Sequence, residues 1–333
     1  MAGKLFKAMV VQETANNKYI RRIKDKSVDE LPKGDVLVRV SYSSLNYKDG
    51  LSASGNRGVT KKYPHTPGVD AAGVVEESIS KNFRPGDEVI VTSYDLGMNT
   101  SGGFGQYIRI PADWVVKLPR NLSLKESMMY GSAGFTSALC VYRLNIHGLT
   151  PDMGKILVTG ATGGLGSIAI AMLDKLGYHT VAVTGKPEAR EYLTALGAKE
   201  IISREEAAQG ADKPLLKGLW AGVIDSVGGD ILAAAVKSTQ EWGVVLCCGN
   251  VASPDLHINV FPFILRGVDL LGIDSQKCLM PVRVQIWNQI ANDWKVDNLE
   301  RIISECTLEI LEVEIERILA GKQRGRVVVN LET

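Results

Sequence analysis

The segment Gly160-Ala161-Thr162-Gly163-Gly164-Leu165-Gly166 decides the fold of this chain. It follows the strand-like stretch Lys155 to Thr159 and leads into the helix-like stretch Ser167 to Leu176. A strand, a glycine-rich turn and a helix in this order direct backbone N–H groups at a helix N-terminus towards a phosphate, and the helix dipole favours the negative charge there. Small residues let the phosphate approach and let the helix pack on the strand. The segment therefore predicts a dinucleotide-binding turn, although it does not match the G-x-G-x-x-G spacing strictly.

The next strand indicates which dinucleotide is bound. It ends in Val181-Ala182-Val183-Thr184-Gly185-Lys186, where an NAD-selective site usually carries a carboxylate for the ribose hydroxyls. This chain has no acid there. Thr184, Gly185 and Lys186, together with Arg204 or Arg190, suit a 2′-phosphate held by charge-assisted hydrogen bonds. We therefore predict NADPH as the cofactor rather than NADH, the alternative for these basic residues being a solvated helix start.

The sequence pattern changes near residue 124, which predicts two domains in an α/β fold. Before that point short strands are separated by Gly, Pro and Asn, for example Asp35 to Tyr42, Gly73 to Glu77, Glu88 to Ser93 and Gly105 to Ile110. After it, amphipathic helices alternate with apolar strands, which is typical of a doubly wound parallel sheet. The strand Gly325 to Asn330 is expected to return to the first domain. We therefore predict a β-rich domain at 1–123, completed by 300–333, and a doubly wound domain at 124–299.

The composition excludes several classes of protein. The 333 residues are 45% apolar and 23% charged, which is typical of a globular protein large enough for two cores. The 38 basic and 37 acidic residues create no global field for nucleic acid or an anionic membrane. We find no apolar run near the roughly 20 residues that span a bilayer and no signal peptide, so we expect a cytoplasmic protein with a small-molecule substrate.

Several further segments resemble the acrylyl-CoA reductase branch of the medium-chain dehydrogenase/reductase superfamily, whose members are often labelled quinone oxidoreductases. The segments are Ser43 to Gly50, Pro67 to Gly73, Gly131 to Ala138, Pro262 to Gly267 and Gly272 to Ser275. The resemblance covers essentially the whole chain. It implies a GroES-like (chaperonin-10-like) domain, a Rossmann domain and an active site in the cleft between them. It also implies a homodimer joined through the Rossmann sheet edge, where Asp255 to Val260 and Val268 to Ile273 could extend the sheet.

The chain departs from the zinc-dependent relatives of that family. Where those relatives have a cysteine it has Asn46-Tyr47-Lys48-Asp49, and where they have Gly-His-Glu it has Gly68-Val69-Asp70. The structural zinc loop of those relatives needs four closely spaced cysteines, and residues 87–113 contain none. We therefore predict no metal site. A plain ketone would lack its usual Lewis acid, so an activated alkene is the expected hydride acceptor.

Tyr47 and Asn46 are the residues that we expect to carry the chemistry. An α,β-unsaturated thioester accepts hydride at its β-carbon if the developing oxyanion is stabilised and a proton reaches the α-carbon. Tyr47 can donate a hydrogen bond or a proton, and Asn46 can hold the nicotinamide or the substrate carbonyl. Asp70 could orient Lys48 or Tyr47, the alternative being a structural ion pair. The resemblance adds cofactor contacts at Arg204, Asn250, Ile264 and Ser275, with surface or capping roles as the alternative. Tyr47 is a further expected cofactor contact, the alternative being a half-buried tyrosine that only satisfies its hydroxyl.

Three functions remain open from the sequence. The first is NADPH-dependent reduction of acrylyl-CoA or a similar short enoyl-CoA, and the second is reduction of a quinone or an enone. The third is a non-catalytic NADPH-binding protein. A CoA thioester would favour a basic rim, for which Arg57, Lys61 and Lys62 are candidates, although charged loops are usually just solvated. The vicinal Cys247-Cys248 pair could be a redox device, but its context is typical of the end of a buried strand.

Overall fold

The computed structural model describes residues 3–332, which form two compact units. The first holds the chain up to Ser132, Gln276–Ala291 and the residues from Asn298 onward, and the second holds Ala133–Ser275 and Asn292–Asp297. The domain boundaries predicted from the sequence placed residues 276–291 in the dinucleotide-binding domain, whereas in the structure this segment packs with the first unit. One reason is Arg283, which is fully buried and donates hydrogen bonds to the carbonyl and the hydroxyl of Thr92.

Strands and helices are numbered here in chain order. The strands are β1 (Leu5–Glu13), β2 (Tyr19–Ser27), β3 (Val36–Leu45), β4 (Asp70–Ser78), β5 (Glu88–Thr92), β6 (Tyr107–Ile110), β7 (Val115–Lys117), β8 (Lys155–Val158), β9 (His179–Val183), β10 (Glu200–Ile202), β11 (Trp220–Asp225), β12 (Thr239–Cys247), β13 (Asp269–Gly272), β14 (Ile303–Thr307) and β15 (Arg326–Asn330). The helices are α1 (Tyr47–Ala53), α2 (Leu124–Ile146), α3 (Gly164–Lys175), α4 (Arg190–Ala195), α5 (Arg204–Ala208), α6 (Gly229–Lys237), α7 (Phe261–Arg266), α8 (Met280–Ala291) and α9 (Leu311–Leu319).

The first unit is the β-rich GroES-like domain that the sequence predicts. Its main sheet has the order β14-β15-β3-β4-β5-β7, with β6 also paired to β3, and β1 and β2 form a separate antiparallel ribbon. Alternate valines of β3, Val36, Val38 and Val40, are buried in its core. Strand β15 pairs antiparallel with β3, Val327 lying opposite Leu45. The last strand therefore joins the sheet of the first unit, at the strand that leads into α1.

The second unit is the predicted doubly wound domain. Its six parallel strands have the order β10-β9-β8-β11-β12-β13, so the order reverses between β8 and β11. Ile156, Leu157 and Val158 of β8 are at most 1% exposed, as expected of a strand covered by helices on both faces. Ligands of such sheets bind at the carboxyl ends of the strands beside the reversal. The glycine turn after β8 lies at that place.

Two local predictions differ from the structure. Helix α3 begins at Gly164, three residues before the predicted Ser167, because glycine adopts the helical conformation as readily as the turn conformation. Asp255 to Val260 forms no strand, so of the two segments proposed to extend the sheet only β13 can do so, at the sheet edge. Among the residues described, no helix is long and apolar enough to cross a membrane.

Candidate active site

The glycine turn has the geometry of a phosphate cradle. Gly160 adopts a φ of 60°, and the Gly163 N–H donates to the Gly160 carbonyl at 2.9 Å. A Cβ atom on Gly166 would lie 2.5 Å from the Gly160 oxygen, so no side chain fits there. The first turn of α3 carries no acidic residue. Its leading N–H groups, which have no partner within the helix, can therefore receive an anion.

Thr184, Gly185, Lys186 and Arg204 come together at the end of β9. A Cβ atom on Gly185 would lie 2.7 Å from Arg204 Nε, so the guanidinium group lies directly over this glycine. The Thr184 hydroxyl accepts a hydrogen bond from the Lys186 backbone N–H at 3.0 Å. The cluster offers two cations, a hydroxyl and a residue without a side chain. This donor set fits a 2′-phosphate.

The other predicted cofactor contacts are less closely grouped. Ser275 accepts a hydrogen bond from the Thr136 hydroxyl at 2.8 Å, which fixes its side chain. Asn250 is exposed in the loop after β12, and Ile264 of α7 is 69% exposed. Their contacts with a cofactor stay predictions.

A buried polar cluster surrounds Asp70 at the start of β4. Asp70 is fully buried, and its Oδ1 accepts a 2.5 Å bond from the Ser132 hydroxyl. Its Oδ2 accepts bonds from the Ser44 hydroxyl at 2.6 Å, the Asn46 side-chain amide at 2.8 Å and the Ser132 backbone N–H at 2.9 Å. All of these donors belong to the first unit. Both oxygens of Asp70 thus accept hydrogen bonds.

Arg326, which the sequence analysis did not single out, supplies the positive charge of this cluster. It begins β15, is 3% exposed, and its Nη2 lies 3.6 Å from Asp70 Oδ2 and donates to the Ser44 hydroxyl at 2.6 Å. Its Nη1 donates to Asn46 Oδ1 at 2.9 Å and to the Leu45 carbonyl at 3.0 Å. The signal in the sequence was an arginine directly before a run of three valines, since a charge in a buried strand requires a counter-charge.

Asp49 is a second buried carboxylate in the cluster. Its oxygens accept bonds from the backbone N–H groups of Asn46 and Val69, each at 2.8 Å. Burial, with a smaller contribution from the nearby Asp70, raises the pKa of Asp49 to about 7. Arg326 forms its ion pair with Asp70, and Asp49 makes a smaller electrostatic contribution to it.

Tyr47 and Lys48 differ in their surroundings from the residues before them. Tyr47 is the first residue of α1 and is 40% exposed, so its hydroxyl is available to a ligand. The Lys48 ammonium donates to Gln276 Oε1 at 2.8 Å. The expectation that Asp70 orients Lys48 or Tyr47 is therefore wrong, since its bonds go to serines and to Asn46. The reason is tertiary: folding brings Ser44 of β3, Asn46 and Ser132 to the start of β4, where they take up the oxygens of Asp70.

Two further expectations from the sequence were a basic rim for a CoA thioester and a redox role for the Cys247-Cys248 pair. Arg57, expected on a basic rim, donates to both carboxylate oxygens of Glu13, at 2.6 and 2.7 Å. Lys61 and Lys62 are exposed. Cys247 and Cys248 form no disulfide; burial raises the pKa of Cys247, and a hydrogen bond with Cys140 together with burial raises that of Cys248, which makes both thiols poor nucleophiles.

Two family models match the chain, one in each half of the sequence. Residues 32–120 match a model described as the alcohol dehydrogenase GroES-like domain, and residues 164–290 match one described as zinc-binding dehydrogenase.

Several relatives are similar over nearly their whole length. YhfP of Bacillus subtilis, which has a provisional quinone oxidoreductase name, is 47% identical over 98% of this chain and 99% of its own. Acrylyl-CoA reductase AcuI of Ruegeria pomeroyi is 43% identical over the same shares of the two chains. The structure of the YhdH oxidoreductase of Salmonella enterica in complex with NADP is 38% identical and aligns with a TM-score of 0.95 over 98% of this chain and 100% of that one.

A zinc ion does not fit the residues of this chain, although one matching model is named for zinc binding. Asn46 presents an amide whose oxygen is bonded to Arg326, and both oxygens of Asp70 accept hydrogen bonds. A guanidinium group beside them would repel a cation. Among the residues described, no group of three or more His, Cys, Asp or Glu side chains could hold a metal ion.

Proposed function

The chain belongs to the medium-chain dehydrogenase/reductase superfamily and is an oxidoreductase of that superfamily, and on this premise we propose that it reduces acrylyl-CoA or a similar short enoyl-CoA with NADPH. The observation that carries the substrate class is the donor set around Asn46 and Asp70. The side-chain oxygens of Asn46 and Asp70 accept hydrogen bonds from a guanidinium group and from hydroxyl and N–H donors. These residues therefore do not fit a metal ion that could act as the Lewis acid for a plain ketone.

NADPH as the cofactor is supported by two features. The residues after β9 offer Lys186 and Arg204 and no carboxylate, and related structures contain NADP or NADPH, although the YhfP structure contains NAD. When bound, NADPH supplies the hydride. The glycine turn and the first N–H groups of α3 hold the pyrophosphate, and Thr184, Lys186 and Arg204 hold the 2′-phosphate.

The thioester substrate itself supplies the electron sink that the reaction needs. As hydride reaches the β-carbon, negative charge develops on the thioester oxygen, where a hydrogen-bond donor lowers the barrier. Tyr47, exposed at the start of α1, is the donor that we assign to this oxygen or to the proton transfer at the α-carbon.

The acceptor is identified by a substrate panel. Purified protein is mixed with NADPH and, separately, with acryloyl-CoA, crotonyl-CoA, a small quinone and an enone, and NADPH absorbance is followed; the series is repeated with NADH. We expect the highest kcat/KM for acryloyl-CoA with NADPH. Turnover of the quinone or the enone without turnover of either thioester would overturn the proposal. It would favour the second candidate, quinone or enone reduction, which the name of YhfP supports.

Replacing Tyr47 by Phe should lower kcat about 100-fold, because a positioned proton donor contributes about that factor or more. The apparent Kd for NADPH should stay within a few-fold, since the phosphates are held elsewhere. The matched control is Tyr42→Phe, which removes a phenol that donates to Glu332. Equal rates for wild type and Tyr47→Phe would remove the role assigned to Tyr47.

Replacing Arg204 by Ala should reduce the preference for NADPH. A hydrogen bond to a charged group contributes about 1.5–3 kcal/mol, so the KM for NADPH should rise roughly 10- to 100-fold while the KM for NADH hardly changes. Arg190→Ala, at the exposed start of α4, is the control because Arg190 was the alternative candidate. A loss of preference in the Arg190 variant alone would reverse the assignment.

A further inference from the structure

Every polar atom of Asn46 takes part in a hydrogen bond. Its backbone N–H donates to Asp49, and its carbonyl accepts the first hydrogen bonds of α1, from the N–H groups of Asp49 at 3.0 Å and Gly50 at 3.3 Å. Its side-chain amide donates to Asp70 at 2.8 Å, and its side-chain oxygen accepts from Arg326 at 2.9 Å. Asn46 thus has no free group with which to hold a nicotinamide or a substrate carbonyl. Its place directly before Tyr47 gives it a different role.

Arg326 is the residue that fixes the orientation of this amide. An asparagine amide can turn over and exchange its oxygen and nitrogen, but Asp70 only accepts and Arg326 only donates, so a single orientation satisfies both. The guanidinium group accepts no hydrogen bond, so only the oxygen of Asn46 can face it. The amide nitrogen is thereby directed to Asp70. The same fork contacts Ser44 and the Leu45 carbonyl, which are the last residues of the strand that enters α1.

We infer that Arg326 is a positioning residue, whose guanidinium fork fixes Asn46 and, through it, the first turn of α1 that presents Tyr47. The inference rests on the proposed function for the role of Tyr47. Asp70 and Asp49 are then the counter-charges and acceptors of this arrangement, rather than groups that contact the substrate. The geometry of the fork matters as much as its charge, because a lysine ammonium cannot serve Asn46, Ser44 and Leu45 in one plane.

The first test separates charge from geometry with Arg326→Lys and Arg326→Met. If Arg326 positions Asn46, Arg326→Lys should recover most of the thermal stability lost in Arg326→Met, yet its kcat should stay on the order of ten-fold below wild type. Its KM for NADPH should be unchanged. A lysine variant with the kcat of wild type would reduce Arg326 to a buried counter-ion and overturn the inference.

The second test is a double-mutant cycle on kcat. Because Arg326 acts through Asn46, Arg326→Lys should have little further effect in an Asn46→Ala background, so that the two effects are not additive. Arg283→Lys is the matched control: it alters another fully buried arginine of the first unit, one that bonds to Thr92 and not to Asn46. Its effect should add to that of Asn46→Ala. Additive effects for Arg326 as well would contradict the inference.

A third measurement does not depend on turnover. A crystal structure of Arg326→Lys should show the Asn46 side chain in a changed or mixed orientation, with the Tyr47 ring displaced. An unchanged Asn46 and Tyr47 would overturn the inference whichever acceptor the enzyme uses. If wild type reduces none of the acceptors in the panel, the proposed function fails, and this structural readout still decides the inference.

Discussion

Gly131→Ala should destabilise the protein by about 3–5 kcal/mol, since the substitution disrupts a buried ion pair. Gly131 interrupts α2 with φ 50° and ψ −156°, a conformation that L side chains rarely adopt. A Cβ atom there would lie 2.4 Å from Arg326 Nη2 and Ser44 Oγ, and 2.6 Å from Asp70 Oδ2. The network that holds Asn46 would have to move. Urea unfolding and thermal melts measure the loss, and kcat should fall with it.

Gly86→Ala separates backbone strain from the steric clash. Gly86 also has a positive φ, 93°, but a Cβ atom there would have nothing within 4 Å. Its substitution should cost only the strain of the left-handed conformation, about 1–2 kcal/mol. Similar losses in both variants would show that the contacts of Gly131 with Arg326, Ser44 and Asp70 do not matter to stability.

The ionisation of Asp49 should make the protein less stable as the pH rises. An aspartate whose pKa is lowered by folding has the opposite effect. The folded-state pKa of about 7 lies above the ordinary aspartate value of 3.8, so folding favours the protonated form. The stabilisation is complete below about pH 4 and is lost as the pH rises through 7, because the unfolded chain releases this proton first. Between pH 5 and 8 the loss should be roughly 3 kcal/mol, from 1.36 kcal/mol per pKa unit.

The comparison of wild type with Asp49→Asn isolates this contribution. The asparagine cannot ionise, so the difference in unfolding free energy between the two proteins should shift in favour of the variant as the pH rises from 5 to 8. Asp87→Asn is the control: a hydrogen bond from the Arg84 backbone N–H and the nearby Lys117 lower the pKa of Asp87, so its contribution to stability changes only below about pH 4 and its difference from wild type should stay constant between pH 5 and 8. A difference between wild type and Asp49→Asn that is independent of pH would refute the assignment.

The sequence was sufficient for the fold class, and it named the residues that we propose for the cofactor. Local patterns carry this information: the glycine turn lies between a strand and a helix, and Thr184 to Lys186 end the next strand. The sheet order then follows from the right-handed connections of βαβ units. Arg204 was expected near this cluster, with Arg190 as the other candidate, from the missing carboxylate and again from the resemblance, and its approach over Gly185 gives the expectation a geometric basis.

The sequence could not reveal which residues surround Asn46. Asn46 is separated from Asp70 by 24 positions and from Arg326 by 280, and no local pattern connects them. The antiparallel pairing of β15 with β3 brings Arg326 beside Ser44 and Leu45, and the positive φ of Gly131 leaves room for the guanidinium group. These contacts changed our interpretation of Asn46 from a ligand contact to a support for Tyr47.

By itself, the sequence determined a doubly wound sheet, a β-rich domain and a glycine turn before a helix, because hydrophobic periodicity and glycine placement act over a few residues. Tertiary structure alone decided the charge balance around Asn46, where Arg326 pairs with Asp70 and Asp49 is buried nearby. Burial sets the strength of those interactions, and burial exists only once β3, β4 and β15 have come together.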